Sequence, residues 1–246
     1  MSDDAAAVVE AISEFFGEAP TARTEVGAVS VVVFEDEPDD DEEEPRYYFV
    51  SVGLSSRPLA AAPAGAELVL TVQAALDEDG VAALSEVVGH LASAFLHHQL
   101  DVAPGALVET GPLPIFLGMD QVLITAWGDG GELDRLSPPR SLLSMNPLTR
   151  EEVESIEGAE PDGALAWLSE QGVDVDDPLR LSRQAMEETW SAAEALSRGD
   201  SFAFAQAMEA TAGRIRDLAI RTMSEGGDTD VSGVPAASPA EPVKKA

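Results

Sequence analysis

Residues 31–55 read VVVFEDEPDDDEEEPRYYFVSVGLS, and their layout decides the fold. Nine carboxylates lie between Glu35 and Glu44, interrupted only by Pro38. Apolar runs rich in β-branched and aromatic residues flank them, AVSVVVF at 28–34 and RYYFVSVG at 46–53. Such runs read as strands. The segment between them is too acidic to pack and carries two prolines, so it reads as the long tip of a β-hairpin. Its like charges repel and favour an extended loop. Because side chains alternate along a strand, either Tyr47 and Phe49 face a core and Tyr48 faces solvent, or the reverse.

Working outward, residues 3–16 have the pattern of an amphipathic helix, with Val8, Val9, Ile12, Phe15 and Phe16 on one face and Gly17 as a stop. ELVLTVQAAL at 67–76 reads as a central strand. A helix follows at 79–99, with Val81, Leu84, Val87, Val88, Leu91, Phe95 and His98 as its apolar stripe. Strands are expected at 119–127 and 140–149. Thr149 and Glu152 have capping-box spacing for a short helix at 149–156. Another helix is expected at 162–171, stopped at Gly172. The fold class is therefore α+β: a mixed, mostly antiparallel sheet flanked by helices. Two apolar stripes between 184 and 224, separated by a Gly stop, predict a C-terminal helical hairpin. The Gly, Ser and Pro content of 225–246 predicts a disordered tail.

Composition narrows the function. A formal charge of -32 repels phosphate backbones and anionic membranes, so neither nucleic acid nor membrane is expected as a partner. Setting aside the nine loop carboxylates still leaves -23, so the whole chain is acidic. Such a field attracts cations and basic proteins, or serves solubility alone. With no cysteine, disulfides, thiolate metal sites and cysteine nucleophiles are excluded. The acidic N-terminus lacks the basic region of a signal peptide and no long apolar run stands out, which makes the cytoplasm the expected compartment.

The order of segments resembles the suppressor of fused-like domain family. Four pieces carry the resemblance over about residues 5–183: Val52-Gly53-Leu54-Ser55 with Arg57-Pro58; Glu67-Leu68-Val69-Leu70; Asn146-Pro147-Leu148-Thr149 with Glu152; and Asp177-Pro178-Leu179-Arg180. The resemblance implies a mixed α/β domain at 1–183 that binds proteins and catalyses nothing. Animal relatives add a transcription-factor peptide as a β-strand, and bacterial relatives are taken to be immunity proteins beside polymorphic toxins. No second large domain like that of the animal proteins is expected, so the bacterial, single-domain type is the expected one.

The helix histidines His90, His97 and His98 do not supply three or four converging zinc ligands, and the acidic loop lacks calcium-site spacing and its glycine. No nucleophile elbow and no phosphate-binding Gly-rich loop occurs. No catalytic residue, cofactor or metal is expected. The candidate partner-binding residues are Glu35, Asp36, Glu37, Asp39, Asp40, Asp41, Glu42, Glu43, Glu44, Tyr47, Tyr48 and Arg57. The carboxylates either steer a basic protein, possible toxins included, or form a solvated tip. The strand at 46–53 is read as a sheet edge open to an incoming peptide, with the tyrosines as anchors. Arg57 and Arg180 are alternatively structural ion-pair partners. Self-association as a homodimer through 184–224, in an adaptor role, is the alternative function.

Overall fold

The computed structural model describes residues 3–181 apart from 37, 39–43, 58–64, 99–101, 117, 128–131, 134–135, 157 and 159–160. The expected helical hairpin at 184–224 and the tail at 225–246 lie outside the described residues.

Strands β1 (Ala22–Val26), β2 (Val29–Asp36), β3 (Arg46–Val52), β4 (Ala66–Gln73), β5 (Leu107–Glu109), β6 (Gln121–Ala126), β7 (Glu132–Leu133) and β8 (Arg140–Leu148) form one sheet. Its order is β1-β2-β3-β4-β8-β6-β5, with β7 paired to β8. Every pairing is antiparallel except β4 with β8. The hairpin expected around the acidic segment is present, with Asp36 opposite Arg46 and Phe34 opposite Tyr48. Its strand β3 is not an edge, however. It is hydrogen-bonded to β2 on one side and to β4 on the other. The edges of the main path are β1 and β5, two short strands. Neither announces itself in sequence: ARTEV and LVE have too few apolar residues for a strong strand signal.

The unbroken apolar run of β2 has a simple cause: both sheet faces are covered, so both sets of alternating side chains are buried. Helix α2 (Glu78–His98) covers one face. Leu84, Val88, Ala92 and Phe95 lie at helical spacing and join Val31, Val33, Phe49, Leu68 and Leu70 in one buried cluster. By length and hydropathy alone α2 resembles a membrane-crossing helix, contrary to the expectation of no long apolar run. Here that apolar stripe lies on the sheet.

The opposite face is shared. Helix α1 (Asp3–Phe16) sets Val8, Ala11 and Ile12 on Val32, Phe34, Val50, Val52 and Val69. Helix α4 (Pro161–Glu170) sets Ala164 and Leu168 on Leu123 and Leu148. Helix α3 (Arg150–Ser155) starts with the anticipated capping box. The Thr149 hydroxyl accepts from the Glu152 N–H at 3.2 Å, and the Glu152 carboxylate accepts from the Thr149 N–H at 2.7 Å.

Candidate protein-binding surface

Two buried charged corners hold the sheet. The first surrounds Glu67, which is fully buried in β4. Its carboxylate accepts five hydrogen bonds. They come from the Ser51 hydroxyl (2.7 Å), the Ser55 hydroxyl (2.6 Å) and the N–H groups of Gly53 (2.9 Å), Leu54 (3.2 Å) and Ser55 (3.1 Å). Ser51 Oγ accepts in turn from the Leu68 N–H, and Ser55 Oγ accepts from Arg140. An N–H cannot accept, so each hydroxyl commits its own proton to Glu67. Burial pushes the Glu67 carboxyl up from the usual carboxylate range, and the donors pull against that push. The result fixes the 3-10 turn Leu54–Ser56 behind β3. Gly53 enters that turn at φ 119, a region that disfavours any side chain. Arg140 extends the network to α1, pairing with Asp4 at 2.6 Å.

The second corner is Arg180, 9% exposed. Its guanidinium makes a two-pronged pair with Glu152 at 2.9 and 2.8 Å and donates to the Pro147 carbonyl. This is the structural ion pair expected of Arg180, and it ties residues 177–181 to the end of β8. Asn146 nearby donates to the Leu123 carbonyl at 2.9 Å and to the Thr125 hydroxyl at 3.0 Å.

The candidate binding residues divide. Glu35 is half-buried and accepts from the Tyr47 hydroxyl at 2.8 Å, while Tyr47 itself is 6% exposed on the α2 side. Both therefore serve the hairpin's own packing. Asp36 is exposed at the end of β2, and Glu44 is half-buried just before β3. Glu37, Asp39, Asp40, Asp41, Glu42 and Glu43 lie outside the described residues. Arg57 donates to the Leu96 carbonyl at 3.2 Å and so anchors the exit of the 3-10 turn to α2.

Tyr48 points to the α1 side and joins rings that the sequence reading did not bring together. Phe16 stacks on Phe34 at 4.9 Å and lies 4.7 Å from Tyr48. Trp127 meets the Phe16 and Tyr48 rings edge-on at 6.2 and 5.8 Å. Phe15 meets Phe16 edge-on at 5.2 Å and remains 42% exposed. Phe34 is the buried floor, while Phe16, Tyr48 and Trp127 are half-buried. The helical spacing placed Phe15 and Phe16 on α1, but only the β2–β3 register and the end of β6 bring them to Tyr48 and Trp127. Among the described residues no three His, Asp or Glu side chains are grouped as metal ligands.

Fold and corners together define an α+β domain with one mixed sheet between helices, locked by a buried carboxylate and a buried ion pair. The model of the suppressor of fused protein (SUFU) family matches residues 26–181. The chain belongs to that family. Among solved structures, a SUFU homologue from Neisseria gonorrhoeae aligns with a TM-score of 0.54 and 17% identity, covering 72% of this chain and 94% of that one. The Sufu–Fu complex aligns with a TM-score of 0.50 and 11% identity, covering 67% and 83%. Drosophila Suppressor of Fused aligns at 0.50 and 13%, covering 65% of this chain but 45% of its own length. Compared by sequence with curated proteins, the chain has no match.

Proposed function

We propose that this chain is a non-enzymatic, cytoplasmic protein-binding domain that masks a basic partner, as an immunity protein or inhibitor masks a basic toxin. The observation that carries this reading is the open aromatic cluster beside Asp36, at the acidic end of the hairpin, in a chain of charge -32. Partly exposed aromatic rings provide affinity, because their area is removed from water when a partner covers them. The carboxylates at 35–44 provide long-range attraction, which raises the rate of encounter more than it lowers the rate of escape. Each exposed charge pair contributes only about 0–1 kcal/mol, so charge alone does not hold the complex. Family membership supports a protein ligand, since the solved Sufu–Fu structure is a complex with another protein.

The test is capture from a lysate of the source cell on tagged full-length protein, at low and at moderate salt, read by mass spectrometry. The expected result is one stoichiometric basic protein whose recovery falls as salt rises. Recovery of a non-basic partner indifferent to salt, or of the bait alone, contradicts the reading.

A further inference from the structure

The aromatic cluster at the end of α1 joins one exposed ring to three half-buried ones over a closed core. Phe34, 1% exposed, already closes the core beneath it. Phe16, Tyr48 and Trp127 are only partly covered, and Phe15 is open. Phe15 leaves 42% of its surface in water, area that folding does not remove.

The charges around the rings select an occupant. Glu14 and Glu18 flank Phe15 in sequence and are exposed. Asp36 follows Phe34 by two residues, so it lies on the same sheet face, and it is exposed as well. Arg46 stands opposite Asp36 but is engaged with Gln73 at 2.9 Å and with the Tyr48 hydroxyl. Asp174 and Asp176 add negative potential beside Arg46. A second copy of this chain would bring its own -32 to the same face, which opposes a homodimer here. An apolar peptide would ignore the acidic rim.

Resting on the protein-masking reading above, we propose that Phe15, Phe16, Tyr48 and Trp127 seat an arginine side chain of the basic partner, with Glu18 and Asp36 as the rim. A guanidinium is planar and weakly hydrated. It stacks on ring faces while its edge still donates to carboxylates. A lysine ammonium is a strongly hydrated point charge and gains less from the rings. The site therefore discriminates arginine from lysine at equal charge.

The experiment uses the full chain with Trp167→Phe and Trp190→Phe, so that Trp127 is the reporter, titrated with nona-arginine and with nona-lysine at low salt. The expected result is a saturable change in Trp127 emission, protection from acrylamide quenching, and tighter binding of nona-arginine. Phe15→Ala, a change of an exposed ring, is expected to weaken nona-arginine by about two- to fivefold, the strength of an exposed cation–π contact, and nona-lysine less. Equal binding of both peptides, with Trp127 silent and Phe15→Ala without effect, overturns the arginine seat and leaves the acidic-surface reading standing. No binding of either peptide at low salt overturns both.

Discussion

The two faces of the sheet are finished differently. The α2 face is sealed: Val31, Val33, Phe49, Leu68 and Leu70 are each fully shielded beneath a 21-residue helix. The opposite face is sealed under α1 around Val8 and Ile12 and under α4 around Leu148 and Leu168. Toward the hairpin end, α1 stops at Phe16 and the packing opens into half-covered rings beside carboxylates. One sheet thus separates two tasks. Burial on the α2 side stabilises the fold, and under the proposed function the half-covered rings on the α1 side are the area a partner would cover.

The largest expected effect lies on the sealed face. Phe49→Ala removes a fully buried ring and should cost about 3–5 kcal/mol in chemical denaturation, as large-to-small core changes do. A loss below about 1 kcal/mol would mean that the α2 face is not the stabilising one.

A middle-sized effect is expected at the Glu67 corner. Ser51→Ala deletes one of the five donors and should cost about 1–3 kcal/mol at neutral pH. The sign of its pH dependence follows from charge. Losing a donor raises the Glu67 pKa in the folded state further above its unfolded value, so the ionised form becomes more costly to hold. The gap between wild type and variant should be widest at neutral pH and narrow as pH falls through the raised carboxylate range. Unfolding curves at pH 5 and pH 7.5 check this, and a gap that widens toward acid would show that Ser51 does not act through the carboxylate.

The smallest effect belongs to the open face. Phe15→Ala should leave stability within about 0.5 kcal/mol, as surface substitutions do, while still weakening a basic ligand. A large stability loss there would erase the contrast between the faces.

What was legible in the sequence follows the same division. The pieces that carried the family resemblance turn out to build the two corners. Gly53, Ser55 and Glu67 form the carboxylate lock, while Asn146, Thr149, Glu152 and Arg180 form the other. Such locks need particular side chains at particular spacings, so they leave a readable trace. The hairpin and α2 were legible for a related reason, since burial imposes strict periodicity. Edge strands β1 and β5 are half-exposed and impose little. Missing them made β3 look like an edge. The aromatic cluster was illegible because Phe16, Tyr48 and Trp127 meet across three elements, and no local pattern records that register. The alternation legible along β3 holds, with Tyr47 and Phe49 toward α2 and Tyr48 toward α1, so of the two tyrosines only Tyr48 lies at the open cluster.

The most direct test of the account is a hydrogen-exchange footprint of the captured basic partner on the full-length protein. The account predicts slowed exchange at the C-terminal turn of α1, at the end of β2 and start of β3, and around Trp127, with the α2 side unchanged. Slowed exchange confined to the β5 edge, or to residues beyond 181, would contradict it.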